Sequence, residues 1–195
     1  MGESFVVAGA QARAGDTDAF RLLVEQHSHT IFRLAFRMTG NEQDAEDVVQ
    51  ETFLKAHRNL SRFEERANIR TWLYRIAVNC AHDLMRVRQR HQKGRLPEDP
   101  EGVSAVDQIA ASDPSPDRLL FSAQVQKKVS AAMARLSPIE RTAFVLRHFE
   151  RQGIEEIAPV LGLRAGATKN TIFRAVAKMR RELEPMLRPV LRPAK

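Results

Sequence analysis

The sequence predicts an all-α protein built from two small helical domains joined by a flexible linker, and three observations carry that expectation. Apolar residues recur at helical spacing from about Asp16 to Arg90 and again from Pro116 onward, with no strand-like alternation of any length. Between them the periodicity fails, and Gly94, Pro97, Pro100, Gly102 and Pro114 punctuate an acidic stretch that suits a connection between domains better than a loop inside one. Charge divides in the same way: 13 basic against 12 acidic residues in 1–90, 5 against 6 in 91–129, and 13 against 6 in 130–195, so the net +7 resides in the last third. The expected organisation is an extension at 1–15, a first domain at 16–90, a linker at 91–115, a second domain at 116–184 and a tail at 185–195.

With 43% hydrophobic and 28% charged residues, the 195-residue chain can fill two small cores. No run of about 18 apolar residues offers a membrane span, and the amino terminus lacks the basic segment and apolar core of a secretory signal. A cytoplasmic protein with no membrane insertion is expected. The lone Cys80 permits no intrachain disulfide and no cysteine-rich zinc site. His27 with His29, and Cys80 with His82, stand two positions apart and so do not share a helix face, which argues against a metal site. No catalytic constellation is visible, and neither enzymatic activity, a cofactor nor a small-molecule substrate is expected.

Taken in order, the first domain breaks at short polar joints at Thr39–Asn41 and Ser61–Asn68. Asn41 is placed to cap a helix whose first turn carries Glu42, Asp44 and Glu46, acids that suit the positive end of the helix dipole. Ala45, Val48, Val49, Thr52 and Phe53 form its apolar stripe. A longer helix follows, with Trp72, Leu73, Ile76, Ala77, Cys80, Leu84 and Val87 as its buried face. In the second domain Ser115-Pro116 suits a helix start, and Ser137-Pro138-Ile139-Glu140 has the pattern of a capping box. A short helix from Ile154 to Leu161, a left-handed Gly162, a four-residue turn and a helix from Ala167 to about Leu183 together have helix-turn-helix proportions.

Three surfaces stand out. The second helix of the helix-turn-helix turns Ile172, Ala175, Val176 and Met179 inward, leaving Lys169, Asn170, Phe173 and Arg174 outward, with Arg164 in the turn. Lysine and arginine can read guanine and asparagine can read adenine in a major groove, although helical hairpins with a solvated basic face also occur in proteins that never touch DNA. DAEDVVQETFLKAH presents Asp44, Glu46, Asp47, Gln50 and Glu51 beside its apolar stripe, a surface that repels DNA and suits a basic protein partner if it is more than solvated. The next helix carries Arg75, Asn79, His82, Arg86 and Arg90 along one polar stripe with Trp72 at its head. Cations beside aromatics suit single-stranded nucleic acid, while Trp72 and Tyr74 fit a core equally well.

In combination these segments resemble the extracytoplasmic-function group of bacterial sigma factors over nearly the whole chain. IFRLAFRMTGNEQDAEDVVQETFLKAHRNLSRF followed by RTWLYRIAVNCAHDLMR is similar to the family's sigma-two domain, and LSPIERTAFVLRHFERQGIEEIAPVLGLRAGATKNTIFRAVAKMRREL to its sigma-four domain. The resemblance implies that Asp47, Gln50, Glu51 and Phe53 grip the clamp helices of core RNA polymerase. It implies that the loop Glu64–Ile69 and the helix after it, through Arg70, Trp72, Asn79, Asp83 and Arg86, capture the melted non-template strand of the minus-ten element. Arg164, Lys169, Asn170, Phe173 and Arg174 would read the minus-thirty-five duplex of promoter DNA, and an anti-sigma factor is the implied regulator. The implied role is an alternative sigma factor that directs polymerase to specific promoters and assists their opening; a stand-alone helix-turn-helix regulator is the alternative. Many family members carry Thr, Val, Lys, Ser and Arg in order where this chain has Ala167, Thr168, Lys169, Asn170 and Thr171, so promoter sequence does not transfer. Gly153 stands where Ser or Thr commonly caps the supporting helix.

Overall fold

The computed structural model describes residues 17–63, 68–92 and 116–187, and every regular element among them is helical. Helices α1 (Thr17–Thr39), α2 (Glu42–Asn59) and α3 (Ile69–Gln92) form the amino-terminal unit, with a 3₁₀ turn at Leu60–Arg62. Helices α4 (Pro116–Ala134), α5 (Pro138–Phe144), α6 (Ile154–Leu161) and α7 (Ala165–Leu187) form the carboxy-terminal unit, and α5 runs on as one π-helical turn, Val145–Phe149. The expected linker falls almost wholly outside the described residues, as do Glu64–Ala67 of the expected strand-capture loop and the capping residue Ser115.

Local chemistry explains where the helices begin and end. Gly40 takes a left-handed φ of +72° after α1, and the Asn41 side chain accepts the Asp44 amide at 2.9 Å to open α2. Asn68 opens α3 in the same way, accepting the Arg70 amide at 2.9 Å. The capping box at α5 is complete: Ser137 Oγ accepts the Glu140 amide at 3.4 Å, and Glu140 Oε2 accepts the Ser137 amide at 3.0 Å. At the end of α6, Gly162 has φ +65°. There the Leu163 amide reaches Ala158 O and the Gly162 amide reaches Pro159 O, the paired bonds of a Schellman stop.

Gly153 caps α6 without a side chain, and its amide donates to Glu156 Oε2 at 2.7 Å. A Cβ at Gly153 would lie 3.3 Å from that carboxylate oxygen, so a serine or threonine here requires Glu156 to yield slightly. The backbone half of the capping box therefore stands in for the absent hydroxyl.

One hydrophobic cluster runs through both units. Leu23, Ile31, Leu34 and Met38 of α1, Val48 of α2 and Leu73 and Val78 of α3 join Leu146 and Ile157 of the carboxy-terminal unit. Helix α3 is the shared wall, which changes its expected burial. Leu73, Ala77 and Cys80 are buried as the spacing predicts, but so are Tyr74, Val78 and Ala81, because the carboxy-terminal unit covers a second face. Val87, expected in the buried stripe, is 45% exposed; α3 runs beyond the packed layer there, and every residue from Arg86 to His91 is exposed.

Two boundaries also shift. The last helix begins at Ala165, two residues before the expected start, because the Thr168 amide already bonds Arg164 O at 2.9 Å. It continues to Leu187 and takes in Pro185, which the sequence places in the tail. Near the end of a helix a proline removes a single backbone bond, so the last turn tolerates it.

Candidate functional site

The helix-turn-helix pair brings its five expected residues to one surface. Thr168, Thr171, Ala175 and Met179 are buried beneath α7, and the Thr168 and Thr171 hydroxyls bond back to Arg164 O and Ala167 O at 3.1 and 2.9 Å. Burial of those positions turns Lys169, Asn170, Phe173 and Arg174 outward, with Arg164 exposed at the turn. Phe173 is 74% exposed, an apolar ring held in water among cations. Arg174 is steadied by a 3.4 Å bond from its guanidinium to Thr171 Oγ1. The surface combines a hydrogen-bonding amide, an aromatic ring and cations at a helix start, the chemistry needed to meet base edges and phosphates together.

The acidic residues form a different site. Asp47, Gln50 and Glu51 line a groove of about 350 Å³ between α2 and α3, together with Leu54, Leu84 and Cys80. Asp47 and Gln50 are exposed, and Glu51 pairs with Lys55 at 3.4 Å. Asp44, in the first turn of α2, pairs with Arg88 of α3 and ties the two helices together. Phe53 departs from the expected docking face: it is 8% exposed and points into the core, because it shares the α2 stripe with Ala45, Val48 and Ala56. Leu54, one residue on, takes the outward place at 45% exposure. Its signal in the sequence was an apolar residue on the acidic side of the helix. Burial raises the Cys80 thiol above its ordinary pKa, so the thiolate is disfavoured and the side chain behaves as core.

The residues expected to capture a single strand are spread along α3. Trp72 is half-buried, its ring 5.2 Å from that of Phe63, and the Arg70 guanidinium lies 5.7 Å from the Tyr74 ring centroid. Asp83 and Arg86 are exposed and pair at 3.5 Å. Asn79 is exposed at the rim of a crevice lined by Val78, His82, Pro138, Ile139, Val160 and Leu161. His82 belongs to the junction of the two units, its Nε2 3.0 Å from Thr142 Oγ1. Burial is the main reason its pKa falls below the ordinary histidine value.

Known proteins carry the same two segments. Residues 23–91 match the family model described as Sigma-70 region 2, and residues 126–179 match that described as Sigma-70, region 4. The chain is 36% identical to the RNA polymerase sigma-H factor of Pseudomonas aeruginosa, over 91% of this chain and 93% of that one. It is 31% identical to the ECF RNA polymerase sigma factor SigW of Bacillus subtilis, over 90% and 95% of the two chains. The chain belongs to the ECF RNA polymerase sigma factors.

This sigma factor is also 34% identical to SigE of Mycolicibacterium smegmatis over 90% of its own length, and spans 65% of that longer relative. Among solved structures it is similar to CnrH in complex with the cytosolic domain of CnrY, with TM-score 0.68, 28% identity and coverage of 93% and 97% of the two chains. The sigma factor RpoE in complex with the anti-sigma factor NepR from Bartonella quintana shares its fold, with TM-score 0.65 and 24% identity over 85% and 96%. A stand-alone helix-turn-helix regulator does not account for the region 2 match, so the sigma factor reading stands over it.

Proposed function

We propose that this sigma factor directs core RNA polymerase to specific promoters through three separate surfaces. Asp47, Gln50 and Glu51 dock on the polymerase clamp helices, with Leu54 adding apolar contact and Phe53 holding the helix from beneath. Arg70, Trp72, Asn79, Asp83 and Arg86 take the melted non-template strand of the minus-ten element, where unstacked bases need aromatic faces and phosphates need cations. Arg164, Lys169, Asn170, Phe173 and Arg174 read the minus-thirty-five duplex. The observation that carries this division is the outward cluster on α7, remote in sequence and opposite in charge from the acidic groove on α2.

The protein acts by binding and positioning rather than by catalysing a covalent step, and its place of action is the cytoplasm, where polymerase and DNA meet. An anti-sigma factor is its proposed regulator, in keeping with the related sigma factor RpoE, solved with the anti-sigma factor NepR.

Reconstituted transcription tests the reading. Purified chain added to core polymerase should give specific initiation from a subset of genomic promoters and should co-purify with the core. A chain that binds no core enzyme and starts no transcript overturns it.

A further inference from the structure

Two arginines of the amino-terminal unit have no acid to answer them. Arg33 of α1 and Arg70 of α3 are both partly buried, and among the described residues neither side chain is paired with a carboxylate. The Arg33 Nε–H is shut away from water and meets no acceptor. A buried donor in that state costs the fold stability, and it marks a place where an ion or a functional task supplies what the fold does not.

Both cations act on Tyr74. The Arg70 guanidinium lies 5.7 Å from the ring centroid. Burial and then Glu150 push the Tyr74 hydroxyl above its ordinary pKa, while Arg70 and Arg33 pull against them. Glu150 is already engaged, accepting Arg37 Nη1 at 3.1 Å and the Tyr74 hydroxyl at 2.8 Å. His27 of α1, 7% exposed, brings no negative charge either; burial lowers its pKa and the Arg70 charge lowers it further.

Partly dehydrated cations without a counter-charge favour an anion, because little water has to be stripped from them when it binds. A guanidinium can meet two oxygens of a phosphate at once through its planar fork. Arg70 lies within one helical turn of Trp72, the partly buried aromatic at the head of α3. Cations beside an aromatic face suit a single strand, which offers phosphates and unstacked bases together.

We propose that Arg33 of α1 joins Arg70 of α3 to seat one phosphate of a single strand lying along α3. The site rests on the proposed strand capture and adds to it a residue from a second helix. In the free chain Arg33 burdens the fold, and with the strand bound it gains a partner. Arg33→Met keeps the stem and removes the charge, so it should raise the thermal midpoint by about 2–4 °C. The same variant should bind a strand about tenfold more weakly, the order of one charge-assisted bond.

Trp72 is the chain's single tryptophan, so its quenching by an unlabelled random DNA strand of about 12 nucleotides reports binding at α3 and not on α7. The logarithmic salt slope of the parent should exceed that of Arg33→Met by about 0.7, the share of one phosphate on a single strand. Arg33→Lys should recover the slope but not the full affinity, because an ammonium keeps the charge and loses the fork. An unaltered quenching curve in Arg33→Met overturns the site while strand capture stands. A parent whose Trp72 the strand does not quench overturns strand capture, and the site falls with it. A lower thermal midpoint in Arg33→Met makes the residue a structural one and also overturns the site. ATP at equal phosphate concentration should leave the strand bound; its displacement from the parent but not from Arg33→Met assigns the pair to a free nucleotide and overturns the strand as the source.

Discussion

Lys178 on α7 donates to Glu140 at 2.7 Å, and Glu140 is the residue that closes the capping box on Ser137. One carboxylate thus caps α5 and anchors α7. Glu140→Ala removes both, and should destabilise the protein by about 2 kcal/mol, a helix cap and a partly buried charge-assisted bond together. Thermal unfolding measures it. Lys178→Ala should cost less, since the capping box survives and Lys178 is 41% exposed.

Glu140 also gives a pH dependence. Burial works to raise its pKa, but the bonds from Lys178 and Ser137 outweigh it and hold the carboxyl below its ordinary value of 4.5. The folded state therefore binds this proton less readily than the unfolded one. The stability so gained is complete above the ordinary carboxylate range and is lost as pH falls through the depressed folded value. Glu140→Gln should flatten the acid limb of the unfolding curve.

His82 has the same sign in a higher window. Its pKa is lowered, chiefly by burial, from 6.5, so protonation favours the state in which it meets water. Stability from the neutral ring is complete above that value and falls as pH drops below it. His27 and His148 are lowered too. The test is accordingly the difference between the parent and His82→Gln in unfolding midpoints from about pH 7 to pH 5; parallel curves would count against a role for His82.

Lys169→Ala and Arg174→Ala should each weaken binding to a minus-thirty-five duplex by about 1–3 kcal/mol if they read bases. A residue that instead meets phosphate should lower the salt slope by about one unit and weaken all sequences alike. Both side chains are exposed and carry no core packing, so core polymerase affinity should not change. Titrations at two salt concentrations separate the cases.

Asp47→Ala and Gln50→Ala should do the reverse. Their positions on the groove between α2 and α3 predict weaker core binding with unaltered affinity for isolated minus-thirty-five duplex. Equal loss of both activities in all four variants would contradict the division of labour.

Much of this was legible in the sequence because it is local. A cap, a left-handed glycine and an amphipathic stripe each depend on residues within a turn or two, and Asn41, Ser137 and Gly162 do what their neighbours dictate. The α7 surface was legible in part for the same reason: helical spacing sets Ala175 and Met179 inward against Asn170, Phe173 and Arg174, but Thr168 and Thr171 complete the buried face while Ile172 and Val176, expected there, are only half-buried. Phe53 lies in the apolar stripe that the spacing predicts and is buried there, whereas the contact motif that also names it says which helix meets a partner but not which way each side chain turns.

Helical periodicity and caps thus determined the helices found among the described residues, and with the charge split the basic helix-turn-helix. Only the tertiary structure decided that α3 is buried on two faces, that Tyr74 is core, and that Glu150 finds Arg37 and Tyr74. Those partners lie 113 and 76 residues away in the chain. No local pattern encodes such a pairing, because a buried acid and an exposed one look alike until the surface that covers one of them has been packed.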